Sequence, residues 1–285
     1  MNKKCVLCKS ERFTILFPHH NNWVMGKCAE CGLVQVVPMP TAREIARLYH
    51  EDFEHFEPYF DQEAVHHAYF RQKIAEISKR ITNHDLRITL LDIGCASGVL
   101  LEEAQKVGMK VTGIDISRDV VAFCKKRGLM ALAGTVATVK NLRPAFFDVI
   151  TAFQVIEHER DPLNTVKRIY KLLKKGGIVV LATPNYGGVW RKVMGPRWFG
   201  FAHPEHVVLF DFKTMKLLLE KAGFKDIEVR ADSPRPFPLS FAFTRGADYF
   251  PWAAWMLKPM GKFLDHFNFK NPINPWDDMI VYGRK

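Results

Sequence analysis

The sequence of 285 residues has no run of eighteen apolar residues, so no transmembrane helix is expected. Its first residues, MNKKCVLCKSERF, hold no apolar core of signal-peptide length. These two absences lead to an expectation of a cytoplasmic protein with reduced cysteines. No internal repeat and no low-complexity tract is visible, which excludes solenoids and disordered tails. Negative charge is the scarcer sign: 30 acidic side chains face 41 lysines and arginines, a net charge of +11. Nucleic acid, an anionic membrane surface or a phosphorylated small substrate would each account for that excess, as would a merely basic protein. What remains is a globular composition, with 48% apolar and 25% charged residues.

Cysteine is sparse but ordered. Four of the six form two pairs, CVLC (Cys5, Cys8) and CAEC (Cys28, Cys31), with nineteen residues between them. Two such knuckles supply four thiolates for tetrahedral zinc, and a full thiolate set leaves no open position for catalysis. A structural Zn2+ is therefore expected. RFTILF and GLVQVV read as the strands of a zinc-ribbon-like module over residues 1–40, a piece too small to build an adequate core unaided. Cys95 and Cys124 read as small buried residues. After PMPT, Thr41 caps a helix, AREIARLYH. The segment 41–85 is helical in pattern, with Ile74, Ile77 and Ile81 on one stripe. It is dense in aromatics and histidines (Phe53, His55, Phe56, Tyr59, Phe60, His66, His67, Tyr69). It reads as a helical layer packed on the next domain, or as a lid over a site.

From residue 86 strand and helix patterns alternate. RITLLDIG, KVTGIDIS, LMALAG, FFDVITAF and IVVLAT read as five strands. The helix DPLNTVKRIYKLLKKGG starts at the Asp161 cap with Pro162 in its first turn, and its lysines and glycines are expected to close it. KDIEVR and DMIVYGR add two strands. The fold class is thus α/β: a Rossmann-like, doubly wound, seven-stranded, mostly parallel sheet with a small zinc-ribbon module. Its ligand crevice should lie at the carboxyl ends of the strands. Residues 86–285 form this domain, with insertions at 184–212 and 232–277.

The loop in LLDIGCASG lacks the dinucleotide spacing G-x-G-x-x-G, since Gly98 comes one residue early. It also lacks a second glycine where Ala96 stands. Asp92, just before the turn, would repel a pyrophosphate by roughly 4 kcal/mol at contact. It would favour a ligand carrying an ammonium and a sulfonium, such as S-adenosylmethionine. Asp115 follows twenty-three residues later, at the end of the second strand, where an acid can chelate ribose hydroxyls.

Residues 87–230 resemble a class I S-adenosylmethionine-dependent methyltransferase: LLDIGCASG resembles the first motif, GIDIS the second and FDVITAFQVIEH the fourth-strand motif. The resemblance implies that Gly94, Cys95, Ala96 and Gly98 line the methionine part of the cofactor. It implies that Asp115 and Ile116 hold ribose and adenine, that Gln154 lies near the methionine and that Arg71 meets its carboxylate. The family's usual acid after the third strand is missing; Gly134 and Thr135 stand there. Ala96 is expected to take a negative φ. The whole chain is similar to bacterial methyltransferases with an N-terminal four-cysteine module, many acting on sugars or small metabolites. Around QVIEH it also resembles quinone-biosynthesis O-methyltransferases, whose E-x-x-E-H stretch can hold a divalent ion. Gln154 replaces the first acid here, leaving Glu157 and His158, so no catalytic metal is expected.

Bases for a methyl acceptor must lie beyond the strand ends. His158 and His206 qualify; His203, before Pro204, reads as structural. The segment 184–206 mixes Trp190, Trp198, Phe199 and Phe201 with Arg191, Lys192 and Arg197. It reads as an ordinary surface loop or as a pocket for an anionic acceptor, phosphorylated, nucleotide-linked or a polysaccharide-precursor sugar. The C-terminal insertion reads as helices docked on the core, or, through 237–267, as a peripheral membrane contact. An RNA methyltransferase is the competing enzyme class. No Asn/Asp-Pro-Pro-aromatic motif follows the fourth strand, however, and no RNA-binding signature appears, so nucleic acid is not the expected partner. A zinc-ribbon interaction protein with a vestigial cofactor fold is a third reading, opposed by the presence of both Asp92 and Asp115.

Overall fold

The computed structural model describes residues 3–19, 23–51, 63–81, 87–234, 251–265 and 277–285, with positions 240, 243, 246 and 247. Phe53, His55, Phe56, Tyr59 and Phe60 of the aromatic segment, and much of 232–277, lie outside the described residues.

A four-stranded antiparallel sheet carries the cysteines. Its strands are β1 (Phe13–Pro18), β2 (Val24–Cys28) and β3 (Val34–Val37), and its edge is completed by β9 (Val208–Leu209) from the distant 184–212 insertion. The sequence reading found β1 and β3 but not β2, whose VMGKC is broken by a glycine and a lysine. The module is not left to metal alone. Leu7, Trp23, Met25, Leu33 and Val36 belong to one buried cluster with Leu91, Ile150, Trp198 and Phe210 of the main domain.

Two helices follow, α1 (Ala42–Glu51) and α2 (Glu63–Ser78). Thr41 and Glu44 form a capping box: the Thr41 N–H donates to the Glu44 carboxylate at 2.7 Å and the Glu44 N–H to the Thr41 hydroxyl at 3.3 Å. Ile74 and Ile77 are buried, with Ile81 beside them, against α3 (Val99–Lys106) and the central sheet.

The central sheet holds β4 (Thr89–Ile93), β5 (Lys110–Asp115), β6 (Ala131–Ala133), β7 (Phe147–Phe153), β8 (Leu173–Pro184), β10 (Lys225–Ala231) and β11 (Asp278–Arg284). Its order is β10-β11-β8-β7-β4-β5-β6, and β11 alone runs against the rest. This is the expected Rossmann-like architecture. The helices α4 (Arg118–Lys126), α5 (Pro162–Leu172) and, beyond the short α6 (Val189–Met194) and α7 (Phe199–Ala202) of the insertion, α8 (Phe212–Ala222) cover it. One boundary is corrected: α5 ends at Leu172, not at the glycines. Leu173 already pairs with Phe147, the register slips before Val149, and Gly176 turns at φ +79° to donate its N–H to the Lys285 carbonyl at 2.9 Å. Two aromatics of the insertion, Trp198 and Phe201, are buried and pack edge-to-face, with Phe17 of β1 on Phe201.

Candidate functional site

Parallel strands end together, so β4, β5 and β7 deliver their following loops to one place. There lies a cavity of about 740 Å³. The loop after β4 makes its floor. Gly94 stands at φ +73°, and a Cβ there would meet Val155 Cγ2 at 2.5 Å. Gly98 opens α3 at φ +84°, with Leu129 Cδ1 at 2.4 Å from the same construction. Both positions require glycine. Ala96 departs from expectation: its φ is +43°, not negative. The turn is held in that conformation from both sides. The Ala96 N–H donates to Asp115 Oδ2 at 3.0 Å, and its carbonyl accepts from the Cys124 thiol at 3.2 Å.

Asp92 is buried on β4 and accepts from the Thr151 hydroxyl at 2.6 Å. Burial pushes its carboxyl up to about 8, and the neighbouring Asp115 adds to the rise. Asp115 is also raised by burial; its second oxygen accepts the Ser117 N–H at 2.9 Å. Ile116, Gly134 and Thr135 continue the wall, Ile116 being 59% exposed. The Gly134 N–H donates to the Asp115 carbonyl at 2.7 Å, which joins the ends of β5 and β6. Gln154 follows β7 at φ +57°, and its buried Nε2 has no hydrogen-bond acceptor among the described residues.

Asp92, Gly94, Cys95, Ala96, Asp115, Ile116, Gly134, Thr135, Gln154, His158 and His206 all line this one cavity. Gly98 is not among the lining residues; it opens α3 with the Leu129 and Cys124 side chains against it. Arg71 does not line it: its side chain, 70% exposed, pairs through Nε with Glu103 on α3 at 3.1 Å. Glu103 belongs to an ionic cluster with His67 and Lys106 that ties α2 to α3 and holds the carboxyl near 2. Arg71 is thus spent on helix packing.

His158 ends a short 3-10 turn (Ile156–His158), and its ring lies 4.9 Å from that of His206. His206 is buried, and its Nδ1 lies 3.0 Å from the Gly200 carbonyl, which assigns the proton to that nitrogen. Burial holds its pKa well below the ordinary histidine value, with His158 and His203 adding to the effect. His203 also lines the cavity, with Nδ1 at 3.3 Å from Glu205. Glu157 is buried and accepts from the Thr183 hydroxyl at 2.9 Å. Glu157, His158 and His206 each bring one donor atom within 4.8 Å of the others. The short motif leaves only two donors; the third arrives from a segment about fifty residues away, which no local spacing reveals.

Several lining residues were not singled out for a site from sequence. Ala42, Ile45 and Ala46 of α1 and Phe70 of α2 line the cavity with Phe153 and Arg160, beside His66 of the segment read as a possible lid and Phe199 of the insertion read as a possible pocket. Phe70 meets Phe153 edge-to-face at 5.3 Å. The aromatic density of the 41–85 segment was the available signal. The cations of the insertion are elsewhere: Arg191 lies over the Tyr186 ring and donates to its hydroxyl at 2.5 Å, and neither Lys192 nor Arg197 reaches the cavity.

The four module cysteines place their sulfurs within 4.8 Å of one another, with Cys5 to Cys31 at 3.6 Å and Cys8 to Cys28 at 3.5 Å. Tetrahedral zinc with Zn–S of about 2.3 Å sets sulfurs about 3.8 Å apart, so this donor set fits such an ion.

The fold is shared with a solved structure from Thermotoga maritima described as an S-adenosylmethionine-dependent methyltransferase, possible histamine N-methyltransferase. The TM-score is 0.57 at 16% identity, covering 85% of this chain and 99% of that one. In sequence, a ubiquinone biosynthesis O-methyltransferase of Vibrio cholerae is 31% identical over 34% of this chain and 42% of its own length. The same-named protein of Pelagibacter ubique is 35% identical over 46% of this chain and 57% of its own length. The chain therefore spans about half the length of the curated relatives it matches. Over residues 62–229, more than half of the chain, the sequence matches the family model described as a methyltransferase domain, and the chain belongs to that family.

Proposed function

We propose that the protein transfers a methyl group from S-adenosylmethionine to a hydroxyl of a small acceptor with a flat apolar body. The observation that carries this reading is the pair of buried carboxylates, Asp92 and Asp115, at the ends of adjacent strands above a glycine-gated loop. Asp92 favours the cofactor's ammonium, and Asp115 is in position for ribose hydroxyls. The unpaired Gln154 Nε2 offers a donor to the methionine carboxylate. The bound cofactor supplies the activated methyl carbon. The protein's share is alignment for in-line attack and removal of the acceptor's proton. His158 takes that proton. His206 stays neutral at physiological pH, which avoids a second cation near the sulfonium.

An anionic acceptor fits this cavity poorly. Its lining carries Glu159, Asp161, Glu205 and Asp278 besides the two cofactor acids, against one guanidinium, Arg160. The Arg160 Nε already donates to the Pro40 carbonyl at 2.6 Å. Phe70, Phe153 and Phe199 favour a flat ring. The name of these relatives, ubiquinone biosynthesis O-methyltransferase, agrees with a phenolic acceptor. A second reading adds a divalent ion held by Glu157, His158 and His206, where it would polarise the acceptor oxygen. In the module, Cys5, Cys8, Cys28 and Cys31 hold a structural Zn2+.

The test pairs calorimetry with turnover. S-adenosylmethionine should bind the purified protein, and catechol-type acceptors should be methylated where sugar phosphates are not. His158→Ala should lower kcat on those acceptors by about 10²-fold or more while sparing cofactor affinity. Absence of cofactor binding, or turnover of sugar phosphates alone, would overturn the reading.

A further inference from the structure

The helix α9 (Ala254–Asp265), with the turn Pro251–Ala253 before it, carries two apolar stripes. Ala253 and Gly261 are buried, and Leu257 and Leu264 are half-buried; these four recur every three or four residues and face protein. On the outward side stand Trp252 at 75% exposure, Trp255 at 78%, Met256 at 43%, Met260 at 42% and Phe263 at 67%. Lys258 and Lys262, one turn apart and both exposed, run along one edge of that stripe, and no carboxylate occurs in the helix before Asp265.

Single exposed apolar residues are ordinary, but four on one short helix and a fifth on the turn before it, two of the five tryptophan, form a binding face. The occupant follows from chemistry. Tryptophan beside lysine suits the boundary between acyl chain and headgroup, where the ring is half-immersed and the ammonium reaches phosphate. The helix has twelve residues, and among the described residues no helix is long and apolar enough to cross a membrane. A second copy fits less well, because each copy carries a net charge of +11 and lysine is disfavoured at the centre of protein interfaces. The same charge attracts an anionic surface. Topology places this face usefully. Strand β10 leaves the sheet at the edge where the cavity lies, and β11 re-enters there through Asp278, which lines the cavity. The connection bearing α9 is anchored at that edge.

We propose that α9 docks the protein on an anionic lipid surface, with Trp252, Trp255 and Phe263 at headgroup depth and Lys258 and Lys262 on the phosphates. The proposal does not depend on which acceptor is methylated. The test is co-sedimentation of the full chain with vesicles of phosphatidylcholine alone and of phosphatidylcholine mixed with phosphatidylglycerol. The mixed vesicles should bind the protein roughly tenfold more tightly than the neutral ones. The double variant Trp255→Ser, Met260→Ser should lose about tenfold or more of that affinity, with its melting curve unchanged because both side chains are exposed. Lys258→Glu with Lys262→Glu should abolish the preference for anionic vesicles. The proposal fails if the protein stays in the supernatant with both vesicle types, or if the variant at Trp255 and Met260 binds like the parent. It fails equally if sedimentation velocity finds a dimer, dissolved by those substitutions, with no vesicle binding.

Discussion

Replacing Asp92 with Asn should make the cofactor-free protein more stable and the cofactor weaker-bound, both in a pH-dependent way. Asp92 is 4% exposed, and its carboxyl stands at about 8 against an ordinary 3.8. In the unfolded chain the group ionises near 3.8; in the folded, cofactor-free chain it holds its proton until about 8. The folded state therefore binds the extra proton between those two values, and stability falls as pH rises through that window. The whole difference is worth about 5–6 kcal/mol as an upper bound, at roughly 1.4 kcal/mol per pH unit. Asn keeps the shape and has no charge to lose. The variant's advantage in urea denaturation without cofactor should thus widen steadily from about pH 4 to 8 and then level off. Cofactor binding inverts the comparison. A ligand with an ammonium and a sulfonium favours the ionised carboxylate, so binding to the parent should release a proton below about pH 8 and tighten as pH rises. Calorimetry in two buffers of different ionisation enthalpy reads that proton directly. Asp92→Asn should release none, bind about 30–100-fold more weakly at pH 8, and show a flat pH dependence. Parallel stability curves for the two proteins, or equal proton release, would refute the assignment of Asp92 as the electrostatic partner of the cofactor.

Two further outcomes follow from the same geometry. Ala96→Gly should leave thermal stability unchanged or raise it by up to ~1 kcal/mol, because the relief of a left-handed alanine offsets the added freedom of glycine in the unfolded chain; a loss of more than that in a melting experiment would mean the methyl group packs usefully. Stripping metal from the cysteine module with a chelator should lower kcat by about 10²-fold while cofactor affinity changes little, and zinc should restore it; a stripped protein with full turnover would show that the module does not position the reaction.

The sheet, its order of elements and the cofactor loop were legible because each rests on local signals: a buried apolar strand, a turn at a glycine, an acid at the strand end. Asp115 could be placed at the end of β5 from spacing alone, since a parallel sheet fixes where the second strand must stop. The conformation of Ala96 was not legible. Steric preference argues for negative φ, but the hydrogen bonds to Asp115 and from Cys124, residues nineteen and twenty-eight positions away, hold the turn otherwise. Arg71 failed for a related reason: its nearest partner, Glu103, lies on another helix and takes the guanidinium before any ligand does. Of the insertion aromatics, Phe199 does line the cavity, but Trp198 is wholly enclosed, a difference of burial that composition does not carry.

Residues 1–40 share their sheet with a strand from the distant insertion, and that pairing reaches the cavity. The β3 strand is extended by β9, and the Val36 N–H donates to the Val207 carbonyl at 2.9 Å. The Val207 N–H in turn donates to the Glu157 carbonyl at 3.0 Å. One continuous run of backbone hydrogen bonds therefore leads from the strand beside the cysteine cluster to the turn that presents His158, and Val207 is the immediate neighbour of His206. The turn that presents His158 is therefore held from two sides, by this run and by β8, whose Thr183 hydroxyl donates to the Glu157 carboxylate at 2.9 Å. A metal bound by the two knuckles would brace β2 and β3, and through β3 the short strand β9 paired with it. The cofactor loop hangs on β4 and β5 and lies outside that run. The cavity thus rests on two supports: the parallel sheet behind the loop after β4, and the four-stranded sheet that braces the turn of His158 and the segment of His206.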